Sequence, residues 1–260
     1  GPGSEVGDEI VMSKKVSGIV FTGSRATGMS MLARNYSNGL QKVFIVEMGG
    51  KNPAIVSKYA DLDEAATGIA SAAFGFDGQK CSACSRVYVH ESVKEAFISK
   101  LVDKMRSFKI GNPLEEEAKK NGNIIYGGNT VKLPLRGYYV EPTLVEISHE
   151  NKLFHEELFL PFLVITTYKN FEDALKMAND VEYGLTAGFY SKKKSEIKEF
   201  IDKIEAGVIY VNREISATTG AIVGFHTFVG WKGSGLTGKG TGSKFYLQQF
   251  MREQSEAIVK

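Results

Sequence analysis

Two cysteines separated by two residues lie in the segment Phe76–Arg86, which follows an alanine-rich stretch and contains a glycine-led turn. Disulfide redox chemistry, half of a zinc site and a single nucleophilic thiol at Cys81 are the chemistries that such a pair can support. Redox-active pairs open a helix directly after a strand, whereas this pair precedes the apolar run Arg86–Val89, which disfavours redox chemistry. The sequence has no second Cys pair and no His pair at ligand spacing, so we predict no metal site. A small buried thiol is the non-chemical alternative for either cysteine.

A carboxylate at Glu47 ends an apolar run and is followed by Gly49 and Gly50. Glycines let the backbone turn sharply and let other groups come close to the carboxylate. A Glu that is partly removed from water has a raised pKa and can act as a general base near neutral pH. An ordinary strand-end Glu exposed to water is equally compatible with this pattern.

Two glycine-containing segments are candidates for ligand binding. Phe21–Gly28 is typical of a strand, a turn at Gly23 and a helix, and the free N–H groups of a helix N-terminus bind phosphate well. A purely structural strand-to-helix turn explains the same pattern. The segment Asn212–Gly242 carries eight glycines and could wrap a small polar substrate with backbone amides, or be a surface loop. Its aromatic residues favour an ordered, packed loop.

The elements that must position these residues alternate between short apolar runs and amphipathic stretches of helical period. The predicted strands are Gly18–Thr22, Lys42–Glu47, Ala54–Val56, Arg86–Val89, Phe162–Thr166 and Val208–Val211. The predicted helices are Arg25–Asn35, those that begin after Asp61, Ser92 and Asn170, and Ser195–Ala206. This alternation predicts an α/β fold with a parallel sheet, in which ligands bind at the carboxyl ends of the strands.

Residues at the predicted helix ends indicate where three of these helices begin or stop. Asp61 with Glu64 forms a capping box, and Ser92 with Glu95 is predicted to cap the next helix. Gly207 is predicted to stop the last helix. The helix after Ser92 has an apolar face at i, i+4 spacing, which consists of Val93, Phe97, Leu101, Met105 and Phe108.

Composition excludes several classes of protein. Hydrophobic residues make up 43% and charged residues 24% of the 260 residues, which is ordinary for a globular protein of one or two domains and excludes a disordered chain. A net charge of +2 is too small to predict a nucleic-acid partner, and no run of about 18 apolar residues predicts a membrane span. Two cysteines exclude a disulfide framework, so we expect a reducing, cytoplasmic compartment. Gly1–Ser4 looks like a protease-cleavage remnant, and we expect residues 1–15 to be a tag and leader outside the fold.

Taken together, the motifs resemble the aldehyde dehydrogenase superfamily. Glu47 precedes Cys81 by 34 positions, the cysteine follows Gly-Gln-Lys, and Phe-Thr-Gly-Ser lies upstream. Glu156–Pro161 looks like the family's Glu-x-Phe-x-Pro cofactor motif, and Tyr183–Gly188 and Gly233–Gly235 are also typical. The Gln-Lys-Cys-Ser-Ala-Cys-Ser-Arg string is most similar to the branch that oxidises glutamate γ-semialdehyde, the 1-pyrroline-5-carboxylate dehydrogenases.

The resemblance implies roles for individual residues. Cys81 would be the nucleophile that adds to an aldehyde carbon, and Glu47 the base that activates water to hydrolyse the resulting thioester. The backbone N–H of Cys81 would be one oxyanion donor, and Cys84 would be a packed bystander. NAD or NADP would be the cofactor, and the residues implied to bind it are Gly23, Ser24, Glu157 and Phe159. The residues implied to bind the substrate are Ser82, Gly220 and Ala221, which hold its α-carboxylate, and Phe228, which forms an aromatic wall.

The resemblance also implies a domain organisation. Residues 16–47 would be a remnant of the cofactor-binding domain, residues 48–243 the parallel-sheet catalytic domain, and residues 244–260 an arm through which copies form a homo-oligomer. Family members have an additional N-terminal part that supplies most of the cofactor sheet and a second oxyanion donor, an Asn. Two further departures are the absence of a family helix near Lys120 and the unusual segment Phe225–Gly230, which helps to shape the substrate pocket. These departures keep open two other hypotheses: a non-catalytic assembly partner and a cofactor-free thiol esterase.

Overall fold

The centre of the protein is a sheet of seven strands with helices packed against it, in a computed structural model that describes residues 1–108, 123–129, 141–222 and 224–259. The described strands are β1 (Gly18–Thr22), β2 (Val43–Glu47), β3 (Asn52–Val56), β4 (Cys84–His90), β5 (Asn123–Tyr126), β6 (Thr143–Glu146), β7 (Phe162–Tyr168), β8 (Tyr183–Gly184), β9 (Thr186–Tyr190), β10 (Val208–Val211) and β11 (Trp231–Lys232). The described α-helices are α1 (Gly3–Met12), α2 (Arg25–Ser37), α3 (Leu62–Phe74), α4 (Lys94–Met105), α5 (Phe171–Asn179) and α6 (Lys194–Lys203).

The strand order of the large sheet is β10-β9-β3-β4-β7-β6-β5. Every neighbouring pair is parallel except β5 and β6, which are antiparallel. All five residues of β3 are buried, because helices and loops cover both faces of a central parallel strand. The predicted parallel α/β fold is confirmed. Three strands of the large sheet, β5, β6 and β9, were not predicted from the sequence; β5 and β6 are short, with four residues each.

A second, two-stranded sheet consists of β1 and β2, which pair in parallel from Gly18 with Val43 to Thr22 with Glu47. Helix α2 makes the crossover between them, as parallel strands require. The chain leaves this small sheet at Glu47 and enters the large one at Asn52, next to the predicted boundary after residue 47. The assignment of the small sheet to a cofactor-binding domain stays a prediction.

Residues 1–15, the predicted tag and leader, are in contact with the small sheet. They form helix α1, which packs against α2, and Val11 is only 1% exposed in a cluster with Ile19 and Phe44 of the small sheet. The Lys42 ammonium donates to the carbonyl oxygen of Val11. Burial of apolar surface against β1 and β2 therefore makes this segment part of the folded protein.

Two of the three predicted helix ends are wrong. The Asp61 carboxylate does cap α3, since it accepts from the backbone N–H groups of Asp63 and Glu64. Ser92 and Glu95 cap no helix, because a 3-10 turn that is capped by the His90 side chain precedes α4. Apolar spacing located the helix correctly, whereas the local hydrogen bonds depend on backbone angles that the sequence pattern does not show.

Gly207 does not stop α6, which ends four residues earlier at Lys203. A Cβ atom at Gly207 would lie 1.9 Å from the carbonyl oxygen of Val229, so the glycine allows a close approach of two backbones.

Lys120 and Val223 lie outside the described residues. Across the ranges that are described, the helices are all too short or too polar to span a membrane.

Residues 244–260, the predicted arm, begin with a turn and a 3-10 helix at Leu247–Phe250 that contacts β2. The described residues beyond it have no regular secondary structure and are exposed. No strand forms there within this single chain, and an association of the arm with another copy stays a prediction.

Candidate active site

Seven of the predicted site residues line one cavity of about 750 Å³ at the carboxyl ends of β1 and β2. These seven residues are Gly23, Ser24, Glu47, Cys81, Ser82, Glu157 and Phe159, and the other lining residues are Thr22, Met48, Gly49, Gln79 and Lys80. The candidate nucleophile, the candidate base and the candidate cofactor-binding residues therefore face the same space, although they are up to 136 positions apart in the chain.

Glu47 ends β2, and its carboxylate Oε2 accepts a hydrogen bond of 3.1 Å from the backbone N–H of Gly230. Burial raises the pKa of Glu47 to about 7, and the hydrogen bond from Gly230 offsets only part of this effect. At neutral pH about half of the Glu47 side chains are therefore ionised and about half carry a proton. This environment is the one that the general-base interpretation requires.

Cys81 lies half-buried in the loop before β4 and forms no disulfide. Burial raises the pKa of the Cys81 thiol, and the negative charges of Glu157 and Glu47 raise it further. The described residues therefore keep the thiol protonated, and its ionisation requires a base or a nearby cation.

Cys84 is free as well, but it is only 1% exposed and packs in the main core. Burial raises the pKa of Cys84 to about 12, which makes this thiol inert at neutral pH. The two cysteines of the Cys-x-x-Cys pair thus occupy different environments. Only Cys81 reaches the cavity.

Asn52, at the start of β3, is a site residue that the sequence analysis did not single out. Its side-chain N–H groups donate to the carbonyl oxygens of Cys81 at 2.7 Å and Ala83 at 2.9 Å. Its Oδ1 atom accepts from the backbone N–H of Thr186 in β9 at 3.0 Å. The buried amide therefore holds the Cys81 loop against two neighbouring strands. A polar residue at the start of an apolar strand was the available signal.

Glu157 reaches into the turn after β2, where its Oε1 accepts from the backbone N–H of Gly50 at 2.9 Å. Burial raises the pKa of Glu157, while this hydrogen bond and the charge of Lys51 lower it in part. A Cβ atom at Gly49 would lie 2.0 Å from Oε2 of Glu157. The glycine pair after Glu47 therefore leaves room for a second carboxylate beside the cavity.

Lys51 and Arg86 are two buried cations behind the site. Burial and the positive charge of Arg86 lower the pKa of Lys51 to about 7, although Glu157 acts in the opposite direction. The Arg86 guanidinium donates to the carbonyl oxygens of Lys51 and Ala178 at 2.7 and 2.9 Å. These hydrogen bonds connect the turn after β2 to the end of α5.

The glycine-rich segment after Gly230 is ordered and packs on the turn that follows Glu47. The backbone N–H of Met48 donates to the carbonyl oxygen of Ser234 at 2.8 Å. The Ser234 hydroxyl donates to the carbonyl oxygen of Gly49 at 2.6 Å and accepts from the N–H of Gly184. These contacts fix the turn and support a packed loop around Ser234, whereas the aromatic residues Phe225 and Trp231 are 89% and 45% exposed and do not pack as expected.

The other predicted substrate residues, Gly220, Ala221 and Phe228, do not line the cavity formed by the described residues. The carbonyl oxygen of Gly220 accepts from Arg213 at 3.1 Å, and Phe228 pairs with Thr241. Their segment nevertheless approaches the site, because the nearby Thr218 hydroxyl donates to the carbonyl oxygen of Ser82 at 2.7 Å. A role for these three residues in substrate binding stays a prediction.

The residues predicted to bind a dinucleotide lie together at this cavity. Gly23 and Ser24 place the N-terminus of α2 at its wall, and the first-turn N–H groups of a helix have no partners within the helix. The N–H of Gly23 itself donates to the carbonyl oxygen of Glu47, so the helix N–H groups rather than Gly23 would hold a phosphate. The Glu157 carboxylate and the Phe159 ring line the same cavity.

Sequence comparison identifies the class of protein. A profile of the aldehyde dehydrogenase family matches residues 1–119 and 114–255, and the match includes helix α1. The chain therefore belongs to the aldehyde dehydrogenase family, whose members are oxidoreductases.

Individual relatives agree with this assignment. A 1-pyrroline-5-carboxylate dehydrogenase of Oceanobacillus iheyensis is 36% identical over 277 residues, which cover 96% of this chain and 53% of that protein. The structure of a 1-pyrroline-5-carboxylate dehydrogenase from Thermus with bound NAD has a TM-score of 0.87 at 33% identity, covering 96% of this chain and 52% of the other. The structure of proline utilization A from Bdellovibrio bacteriovorus, inactivated by N-propargylglycine, has a TM-score of 0.87 at 37% identity. The match covers 97% of this chain and 28% of the other. The chain spans about half the length of the curated relatives it matches.

Proposed function

We propose that this chain carries the catalytic part of an NAD(P)-dependent dehydrogenase that oxidises glutamate γ-semialdehyde to glutamate. The main support is the cavity that Cys81 and Glu47 share with Glu157 and with the N-terminus of α2. The choice of aldehyde is supported by the Oceanobacillus relative, which is a 1-pyrroline-5-carboxylate dehydrogenase. A catalytic thiol works only while reduced, so a reducing, cytoplasmic setting is part of the proposal.

The proposed reaction begins at the Cys81 thiol. Its sulfur adds to the aldehyde carbon, and its proton passes to a base for which Glu47 is the candidate in this cavity. The product is a thiohemiacetal, whose oxyanion the backbone N–H of Cys81 stabilises. When bound, an oxidised nicotinamide accepts the hydride from the former aldehyde carbon, which leaves a thioester on Cys81.

Glu47 first releases the proton taken from Cys81 to solvent and then acts on water. The ionised carboxylate takes a proton from a water molecule, and the resulting hydroxide attacks the thioester carbonyl. The carbon–sulfur bond breaks, the carboxylic acid leaves and Cys81 recovers its proton. A pKa of about 7 suits this step, because the carboxylate is then basic enough to take a proton and still ionised in a large fraction of molecules.

A spectroscopic assay tests the proposal. The purified chain is mixed with glutamate γ-semialdehyde and NAD⁺ or NADP⁺, and absorbance from the reduced nicotinamide is followed. We expect turnover that is lost in Cys81→Ala and kept in Cys84→Ala. Absence of turnover in a folded chain contradicts the proposal that this chain is sufficient for the reaction.

A second candidate function is thiol-dependent ester hydrolysis without a cofactor. It is favoured by the observation that Cys81 and Glu47 meet within this chain, since acylation and hydrolysis need no hydride acceptor. Turnover of p-nitrophenyl acetate that disappears in Cys81→Ser supports this function. No release of p-nitrophenol by the wild type excludes it.

The C-terminal segment is proposed to mediate assembly into a homo-oligomer. Leu247, Met251 and Val259 expose 73%, 71% and 95% of their surface, which is unfavourable for apolar side chains in water. Light scattering is expected to give a mass above that of one chain. A monomer at micromolar concentration contradicts this proposal, and with it a role as an assembly partner.

A further inference from the structure

Two histidines and one aspartate converge outside the cavity that contains Cys81. His149 and His155 lie in the segment between β6 and β7, and Asp180 follows the last residue of α5. One ligand atom from each of the three side chains lies within 4.8 Å of the others. His155 and Asp180 line a second cavity of about 670 Å³ together with Glu156 and Glu182, and Glu157 lines both this cavity and the one that contains Cys81.

We propose that His149, His155 and Asp180 bind a divalent transition-metal ion such as Zn²⁺. Two imidazoles and one carboxylate form a ligand set that suits Zn²⁺, Co²⁺ or Ni²⁺ and is too rich in nitrogen for Ca²⁺ or Mg²⁺. The Asp180 side chain is 73% exposed, so the remaining coordination positions would face solvent and the adjacent cavity.

Both ring nitrogens of His155 face backbone carbonyl oxygens. Its Nδ1 lies 3.1 Å from the carbonyl oxygen of Asp180, and its Nε2 lies 3.0 Å from the carbonyl oxygen of His149. A neutral imidazole has only one N–H group, so one ring nitrogen must point a lone pair at an oxygen atom. Rotation of the ring would turn that lone pair from the carbonyl oxygen towards a metal ion.

His149 is oriented as metal-binding histidines usually are. Its Nε2 lies 3.2 Å from Oδ2 of Asp180, while its Nδ1 lies 3.2 Å from the hydroxyl of buried Tyr88. A hydrogen bond at one ring nitrogen fixes the ring and leaves the other nitrogen free for the metal.

The electrostatic environment also favours a cation. Asp180 lies at the C-terminal end of α5, where the helix dipole is negative, and Glu156 lines the same cavity. Glu182 also lines it, but its carboxylate pairs with Arg25 at 3.2 Å. Ligand atoms around tetrahedral zinc are separated by about 3.4 Å, since each lies about 2.0–2.1 Å from the metal. The longest separation therefore exceeds this value by at most about 1.4 Å. His149 Nε2 already lies 3.2 Å from Oδ2 of Asp180, so His155 is the ligand that must move.

Calorimetric titration of Zn²⁺ into the whole chain, after removal of metal with a chelator, tests the proposal. We expect one ion per chain and an affinity that falls at least about tenfold in His155→Ala and in Asp180→Asn. His226→Ala is the matched control, because it removes an exposed histidine from another part of the chain. Circular dichroism verifies that each variant is folded. The test uses His155→Ala and Asp180→Asn and leaves His149 in place, because the His149 ring contacts buried Tyr88 and its replacement would disturb the core.

The visible spectrum of bound Co²⁺ distinguishes coordination by these histidines from coordination by the Cys81 thiol. We expect a visible spectrum of a nitrogen- and oxygen-ligated ion, without sulfur-to-cobalt charge transfer, and unchanged binding in Cys81→Ser. Equal Zn²⁺ affinity in the wild type and His155→Ala overturns the proposal, as does binding that is lost in Cys81→Ser. Failure of the wild type to bind either ion also overturns it.

Discussion

The side-chain amide of Asn52 donates to the carbonyl oxygen of Cys81 at 2.7 Å. This hydrogen bond connects the loop that carries the candidate nucleophile to the start of β3, five residues after the candidate base Glu47. The same amide group also accepts from Thr186 in β9. Asn52 is therefore a positioning residue, which acts on the site through the backbone of Cys81.

Replacing Asn52 should loosen the Cys81 loop and destabilise the protein. Asn52→Ala leaves the buried carbonyl oxygens of Cys81 and Ala83 and the N–H of Thr186 without their partner. We expect the free energy of unfolding to fall by about 2–4 kcal/mol in urea titrations. Asn170→Ala is the control, since that asparagine is exposed and makes no side-chain cap. Equal losses in the two variants contradict the positioning role.

The two cysteines should differ in reactivity towards iodoacetamide. Cys81 lines the cavity, whereas Cys84 is 1% exposed and has a pKa raised to about 12. We expect peptide mass mapping of the native chain to find the label on Cys81 alone, with a rate that rises with pH because its own pKa is raised. In urea both cysteines should react. Equal labelling of both in the folded chain contradicts the described environments.

Hydrolysis of an acyl group on Cys81 should depend on the ionisation of Glu47. The pKa of Glu47 is raised to about 7 by burial, so the rate should increase with pH, reach half its maximum near pH 7 and then level off. Glu47→Gln should remove this dependence and slow the step by about 10²–10⁴-fold. Single-turnover decay of the acetylated chain measures the step directly. A wild-type rate that does not change between pH 5 and 9 excludes Glu47 as the base.

Glu47 should also reduce the stability of the fold at alkaline pH. Its pKa is about 7 in the folded chain and 4.5 for an ordinary Glu, so the folded state holds a proton that the unfolded state has released. Stability is therefore lost as the pH rises from about 4.5 to about 7. At pH 8, Glu47→Gln should raise the free energy of unfolding by about 3 kcal/mol, at about 1.4 kcal/mol per pKa unit. Urea titrations at pH 5 and 8 should show this gain only at the higher pH.

Gly50 should tolerate no side chain. A Cβ atom there would lie 2.3 Å from the carbonyl oxygen of Cys81, which is backbone and cannot rotate away. We expect Gly50→Ala to lower the free energy of unfolding by about 1–3 kcal/mol and to abolish selective labelling of Cys81. Gly75→Ala is the control, because a Cβ atom there meets nothing within 4 Å and its φ is −61°. A neutral effect of both changes contradicts the described turn.

The sequence by itself determined the features that depend on neighbouring residues. Apolar spacing located α4 and its buried face of Phe97, Leu101 and Met105. Continuous apolar runs identified β3 and β4 as buried parallel strands, and the order of the motifs around Glu47 and Cys81 indicated the family. These features can be read from one sequence because a periodic pattern and a motif each depend only on residues that are near one another in the chain.

Only the tertiary structure decided how distant residues act on one another. It brought Glu47 and Cys81 to one cavity, gave Asn52 its partners and raised the pKa of Glu47. It also packed α1 into the fold and gathered His149, His155 and Asp180, whose spacing in the chain gave no metal motif. The physical reason is that burial, hydrogen bonds and charge interactions depend on distance in space, and packing joins segments whose separation in sequence carries no periodic signal.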